Sequence, residues 1–346
     1  VRTIINTVGT SLMTNASKVL NIAKTDEKNL FQFLNNSTHE QACAETNSIT
    51  KLYQDGDRLI FLHSQTEEGK LCADVLCRHF NSRKITSTLE TVLDLSYQER
   101  RFKMRGLRSL VNTIIRLILE ERKKGRAPVL NATGGFKAEI AYATLIGLLF
   151  DVPVFYIHEA FREIIEMPAT PISWDFTLLA DHEDFFFWLD SEPRDTLEVD
   201  ARLKQLPQDV RFLLIEEEGN SFLSPAGEVF FSAFTQAIEK AANCPVYLSE
   251  PASNFYEKLE PSIKARYERE IAKLRSPVLR RSNADQVRKC DCFVYPKGHR
   301  DERVFFYEKE NSVFICELAR HSDESYERLI ARGVQKDAYK DFKQMS

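Results

Sequence analysis

The sequence contains no apolar run near the roughly 20 residues that cross a bilayer, so no membrane span is expected. Its seven cysteines form no even, closely spaced framework, which excludes a disulfide scaffold and favours a reducing compartment. No charged-then-apolar leader opens the chain, which passes straight into a strand-like run; a cytoplasmic protein is the expectation. Tryptophan is scarce, and both copies, Trp174 and Trp188, are read as packing at domain junctions. A large net charge is also lacking: 47 basic against 51 acidic residues give −4, too little of the right sign to hold nucleic acid by bulk charge.

What is present is a chain of 346 residues, 43% hydrophobic and 28% charged, long enough for two or three cored globular domains. Its charges are unevenly spread. Residues 181–234 carry 13 acidic and 4 basic side chains, net −9, whereas residues 275–303 carry 8 basic and 4 acidic, net +4. An acidic middle and a basic tail segment have different work to do.

Up to residue 176, strand-like runs alternate with helix-period segments. Strands are expected at 3–8, 58–63, 87–92, 129–132 and 154–158, with a last extended run at 163–167. The clearest helix is 98–124, where Leu107, Leu110, Val111, Ile114, Ile115 and Ile118 recur at spacings of three and four. Lys123, Lys124 and Gly125 close it with charges that suit the dipole and a left-handed cap. Such alternation predicts an α/β fold with a parallel sheet wound on both faces.

Residues 177–244 form a second expected domain. It has a helix at 208–217 opened by Pro207, a strand at 221–223, and a helix from 225 to about 242. The order suggests a small winged-helix unit, but its negative charge would repel DNA, so a spacer or protein-docking surface is the better reading. Residues 245–346 form the third. A strand at 246–248, a charged helix or helical hairpin over 254–273, strands at 292–295, 303–307 and 312–318, a polar turn at 308–311 and a helix at 322–332 predict an α+β domain with an antiparallel sheet.

Two loops carry the first candidate site. Thr7-Val8-Gly9-Thr10-Ser11 and Asn131-Ala132-Thr133-Gly134-Gly135-Phe136-Lys137 each follow an expected strand, and the second opens a helix over 136–150. Loops of this kind at the carboxyl ends of strands in one open sheet make a crevice of backbone N–H groups and helix N-termini that suits phosphate. Gly9, Gly134 and Gly135 let a ligand approach the backbone, the hydroxyls of Thr10, Ser11 and Thr133 donate to phosphate oxygens, and Lys137 supplies a mobile cation. His63 and Ser64, after the second strand, are expected on the same rim. A nucleotide-type ligand follows.

These loops and their strand order resemble the CARF domain, the CRISPR-associated Rossmann-fold sensor. The resemblance covers residues 1–176 and implies a Rossmann-like domain that binds a cyclic oligoadenylate across a two-fold dimer. A cyclic tetranucleotide has two-fold symmetry, which an isologous homodimer matches. The stretch 223–227, Leu-Ser-Pro-Ala-Gly, is similar to the winged-helix connectors that follow such sensors. Ser11 and Lys137 also resemble residues that degrade the ligand in ring nucleases.

The tail carries the second candidate site. Arg303 begins one expected strand, Arg320 ends the next, and Tyr326 follows six residues later; Lys297, His299 and Arg300 lie in the preceding loop. Guanidiniums grip phosphates and stabilise charge during 2′-OH attack on the neighbouring phosphate, while a Tyr or His serves as acid, base or stacking platform. This chemistry calls for no metal and no cofactor. The pattern resembles the RelE family of ribosome-dependent mRNA interferases over residues 245–346, which implies that Arg303, Arg320 and Tyr326 are catalytic or position mRNA. The family's lysine pair falls near Val294 and Pro296, so Lys297, Arg288, Lys289, His299 or Arg300 would have to substitute.

Other nuclease signatures are missing. No Arg-x4–6-His spacing occurs after residue 176, no Glu-x-Lys occurs after residue 200, and only Asp341-Phe342-Lys343 mimics a metal-nuclease motif. Cys290 and Cys292 lack a second pair for zinc, and Cys72 and Cys77 read as helix residues. The whole resembles the CRISPR-associated mRNA interferases switched on by cyclic tetra-adenylate. That implies a homodimeric type III ancillary effector, a metal-independent endoribonuclease that cuts mRNA in the ribosomal A site, with its acidic middle available to dock a ribosomal protein. Two other functions fit the residues: a ligand-activated RNase that needs no ribosome, and a non-enzymatic sensor–winged-helix regulator, against which the charge of the middle argues.

Overall fold

The computed structural model describes residues 1–22, 26–95, 105–157, 163–167, 174–298 and 300–345. The chain packs into two units, Val1–Pro171 with Pro193–Phe230, and Ile172–Glu192 with Phe231–Ser346.

The first unit is α/β. Its elements in order are β1 (Arg2–Thr7), α1 (Ser11–Leu20), α2 (Glu27–Asn36), α3 (His39–Ala42), α4 (Ala44–Leu52), β2 (Arg58–Ser64), α5 (Glu67–Ser82), β3 (Ser87–Val92), α6 (Arg105–Lys123), β4 (Ala127–Asn131), α7 (Lys137–Phe150), β5 (Val154–Tyr156) and β6 (Ile165–Met167). The sheet order is β3-β2-β1-β4-β5-β6, parallel throughout except that β6 runs antiparallel to β5. β1 and β2 are buried along almost their whole length, as strands covered on both faces are. Ile4, Val8, Leu12, Phe33, Phe61 and Leu76 share one core cluster. The apolar stripe of α6 is buried as its spacing predicts; the expected first residues of that helix, 98–104, lie outside the described residues. Asp26, Thr38 and Thr66 cap α2, α3 and α5 by accepting backbone N–H bonds.

The chain then forms α8 (Thr177–Asp181) and α9 (Glu183–Ser191), which belong to the second unit, and returns to the first with β7 (Arg194–Asp195), α10 (Thr196–Leu203), β8 (Leu214–Glu217), β9 (Asn220–Leu223) and the start of α11 (Pro225–Lys240). The helix expected at 208–217 is a short 3-10 turn, Gln208–Leu213, that gives way to β8. The reason is the hairpin that follows. Glu218 and Gly219 both take left-handed φ, +52° and +79°, and close a two-residue turn that pairs Glu217 with Asn220. Part of the acidity of this segment is met by α6: Arg105 pairs with Glu217 at 3.0 Å and Glu218 at 3.4 Å, and Arg108 pairs with Glu228.

The second unit continues with β10 (Val246–Leu248), α12 (Glu250–Glu257), α13 (Pro261–Leu274), α14 (Pro277–Asn283), β11 (Asp285–Gln286), β12 (Phe293–Tyr295), β13 (Glu302–Lys309), β14 (Ser312–Arg320), α15 (Glu324–Arg332) and β15 (Lys343–Gln344), with sheet order β11-β12-β13-β14-β10-β15. The sheet is mixed rather than antiparallel, because β10 pairs parallel with β14. The chain between those two strands includes a helical crossover, which permits parallel pairing where a tight hairpin does not. The turn expected at 308–311 is present, with Glu310 and Asn311 at φ +49° and +62° joining β13 to β14.

Candidate functional site

β1 and β4 are neighbours at the point where the strand order reverses, so the loops after them open the crevice that such a sheet offers to ligands. Gly9, Thr10, Ser11, Thr133, Gly134 and Gly135 line one cavity there, of about 610 Å³, to which α1 adds Lys18 and α4 adds Asn47. α1 and α7 both start at this crevice. In neither does the N-cap side chain accept a backbone N–H, in contrast to α2, α3 and α5. The positive ends of both dipoles lie at the opening; at α7 the Glu139 N–H is held by the Phe136 carbonyl at 2.9 Å, and the Glu139 carboxylate lies against Gly135.

The remaining expected ligand residues sit elsewhere. Lys137 is exposed at the first position of α7 and is not among the residues lining the cavity. His63 and Ser64 are buried at the end of β2. His63 donates through Nδ1 to the Ser64 carbonyl at 2.8 Å and accepts at Nε2 from Thr91 at 3.2 Å, while Ser64 bonds Thr66 at 2.7 Å.

Under the crevice lies a carboxylate that the sequence pattern did not mark. Glu45, in the first turn of α4, is buried; Oε1 accepts from the Gly9 N–H at 2.8 Å and Oε2 from the Ser11 hydroxyl at 3.2 Å. A Cβ on Gly134 would run into this carboxylate and into the Thr7 carbonyl, so the glycine is required by the packing of the loops. Gly135, at φ +90°, needs glycine for its backbone. Thr133 is engaged inward as well: it donates to Asn131 Oδ1 at 2.7 Å and accepts from the Ile157 N–H at 3.2 Å, and Asn131 Nδ2 bonds Asn6 and Ser48, each at 2.8 Å. The hydroxyls of Ser11 and Thr133 therefore shape the crevice, and exposed Thr10 is the hydroxyl left at its mouth.

Burial pushes the Glu45 carboxyl above its ordinary range, against the opposing pull of the Gly9 N–H and the Ser11 hydroxyl. A carboxyl raised in the folded state contributes stability below its unfolded pKa and loses it as pH rises through the folded one. Glu45→Gln keeps an acceptor for Gly9 and removes the charge. The wild-type melting temperature minus that of Glu45→Gln is expected to fall as pH rises from about 5 to about 8. A difference that is flat across that window would show that burial does not raise the Glu45 carboxyl.

In the tail, Arg303 is 5% exposed, and its guanidinium donates to the Gly298 carbonyl at 2.8 Å and the Glu302 carbonyl at 3.1 Å. It stands 5.9 Å from the centre of the Tyr326 ring, and the His321 ring lies 5.0 Å from the same phenol. Arg320, its side chain 45% exposed, donates through Nε to Asp301 at 2.8 Å. Burial works to raise the Asp301 carboxyl, but the Ser322 N–H and Arg320 hold it below its ordinary value. Arg303, Tyr326 and His321 are thus brought together, whereas Arg320, paired across the strands with Glu302 while Arg303 pairs with Ala319, shares that end of the sheet but alternates to its other face. Arg300 is drawn away, into a cup formed by Glu183, Asp184 and Glu270 at 3.7–3.9 Å. Lys297 is exposed, its backbone N–H held by the Asn283 carbonyl at 2.9 Å. His299 lies outside the described residues. Among the described residues no group of three or more His, Cys, Asp or Glu is placed to hold a metal ion. Nor is any described helix long and apolar enough to cross a membrane.

Comparison with known proteins bears on the first unit. Residues 40–170 match the family described as CRISPR-associated protein (Cas_APE2256). The matching segment includes Glu45 and the loop at 133–137, and the first unit is to that extent similar to a CRISPR-associated protein. Among solved structures, protein VC1899 from Vibrio cholerae is 9% identical at a TM-score of 0.28, covering 70% of this chain and 68% of its own. Can2 from Sulfobacillus thermosulfidooxidans, solved in complex with cyclic tetra-adenylate, is 12% identical at a TM-score of 0.26, covering 95% and 84%. At these scores neither likeness defines a fold for this chain.

Two residues escaped the sequence reading. Glu45 had no local signal, since its partners, the Gly9 N–H and the Ser11 hydroxyl, arrive from the loop after β1 and the start of α1. His321 had one, its place directly after Arg320.

Proposed function

We propose that the chain is an ancillary effector of a type III CRISPR system. Residues 1–176 sense a cyclic oligoadenylate as a homodimer, 177–244 connect, and 245–346 are a RelE-like endoribonuclease acting on ribosome-bound mRNA. The observation that carries the sensor is the crevice at the β1–β4 switch point, a cavity lined by Gly9, Thr10, Ser11, Thr133, Gly134 and Gly135 into which α1 and α7 bring their N-terminal ends. The family match over residues 40–170 supports a CRISPR context, and the likeness of the two loops to CARF domains supports cyclic tetra-adenylate as the ligand.

Support for the nuclease is the pairing of Arg303 with Tyr326 at the end of β13 and β14 where Arg320 also emerges. Arg320 offers an exposed guanidinium for the scissile phosphate, and Arg303, fixed behind Tyr326, adds positive charge where the pentacoordinate phosphorus becomes more negative. The ribosome would position the message, so few protein groups need to touch it.

Cleavage of a defined mRNA, with and without programmed ribosomes and with and without cyclic tetra-adenylate, tests this reading. Cutting only when both are present is the expected result. Cutting of naked RNA with ligand alone would remove the ribosome from the proposal. Ligand binding without cutting of any RNA would leave a sensor and overturn the nuclease.

A further inference from the structure

We propose that His321 is the proton acceptor of the C-terminal site; the inference rests on the nuclease reading above. Attack of a 2′-oxygen on the neighbouring phosphorus needs one group to take the 2′ proton and another to deliver a proton to the leaving 5′-oxygen. The guanidiniums of Arg303 and Arg320 stay protonated and do neither. The family's lysine positions hold buried Val294 and Pro296. Arg300 is occupied by Glu183, Asp184 and Glu270. Beside the Tyr326 phenol the fold places an exposed imidazole, its ring 5.0 Å from the phenol ring.

The geometry around His321 is that of a held group. Its backbone N–H donates to the Asp301 carbonyl at 2.6 Å. The Asp301 carboxylate accepts from Arg320 at 2.8 Å and from the Ser322 N–H at 2.7 Å, so the turn after β14 is tied on both sides of the histidine. The imidazole faces Tyr326 from α15, with Arg303 of β13 5.9 Å from the same ring, while Arg320 on its own turn and Asp301 from the loop before β13 pair with each other beside its backbone. Imidazole is the side-chain type that exchanges a proton near neutral pH.

In the reaction the imidazole takes the proton of the 2′-hydroxyl as the O2′–P bond forms. The P–O5′ bond breaks, and the Tyr326 hydroxyl gives its proton to O5′. The products are a 2′,3′-cyclic phosphate and a 5′-hydroxyl, and water returns the proton from the imidazolium to the phenolate.

The test compares full-length wild type, His321→Gln and His321→Ala on programmed ribosomes with cyclic tetra-adenylate, over about pH 5.5 to 9. His321→Gln is expected to lose about 10²–10⁴-fold in cleavage rate, with ligand affinity and melting temperature unchanged. The fall in wild-type rate toward acid pH is expected to vanish in the variant, and added imidazole to restore part of the His321→Ala rate. A merely structural role would produce neither effect. Wild-type rate in His321→Gln overturns the inference, as does an acid limb that survives there but is lost in His299→Gln. A wild-type protein that cuts nothing overturns the nuclease reading and this inference with it.

Discussion

Lys273→Met is expected to lower the unfolding free energy of the second unit by about 3–5 kcal/mol, the usual cost of leaving buried charge without its partner. Lys273 is 1% exposed, with Nζ at 2.8 Å from Glu270, 3.2 Å from Glu183 and 3.1 Å from the Ala180 carbonyl. Met has nearly the same length, so the loss is of charge rather than of volume. The ammonium is what permits the two carboxylates to share an interior. Burial, and then the like charge of Glu183, already raise the Glu270 carboxyl. Arg300, no nearer than 3.8 Å to either, cannot replace the lysine.

Two controls separate charge from packing. Lys273→Met/Glu270→Gln is expected to recover much of the loss, which a double-mutant cycle in urea would read as strong coupling. Acidification should help Lys273→Met more than wild type, because a raised carboxyl favours the folded state below its unfolded pKa and disfavours it as pH climbs. A loss under about 1 kcal/mol would mean that the cluster is solvated and the ion pairs are of the surface kind.

Arg320→Ala is expected to lower cleavage by about 10²–10³-fold while leaving stability nearly unchanged. Its guanidinium meets one carboxylate at the surface, where solvent screening leaves such a pair little net worth. That contrast makes it a cleaner probe than Arg303, whose buried guanidinium satisfies two backbone carbonyls and whose removal would disturb the loop before β13. Ligand-dependent cleavage of ribosome-bound mRNA and urea unfolding, measured on the same preparation, check both halves. Unchanged cleavage in Arg320→Ala would remove the tail site from this end of the sheet.

Much of the first unit was legible because its signals are local. Alternating strand runs and the three-and-four spacing along α6 report burial residue by residue, and a parallel sheet follows from their order. The loops at Gly9 and Gly134 announced a crevice by composition alone. The hairpin at 214–223 was missed because a helical period was read through residues whose backbone is governed by the left-handed pair Glu218 and Gly219. The parallel pairing of β10 with β14 was missed because strand direction depends on the crossover between them.

By itself, then, the sequence determined an α/β first unit with a phosphate-suited pair of loops and a tail rich in arginine at its strand ends. Only the tertiary structure decided which polar groups face outward. It turned Ser11 and Thr133 inward onto Glu45 and Asn131, drew Arg300 into a carboxylate cup, and set His321 against Tyr326. The physical reason is that periodicity and loop chemistry act over a few neighbouring residues. Whether a hydroxyl or a guanidinium is already satisfied depends on segments that meet only when the chain has folded.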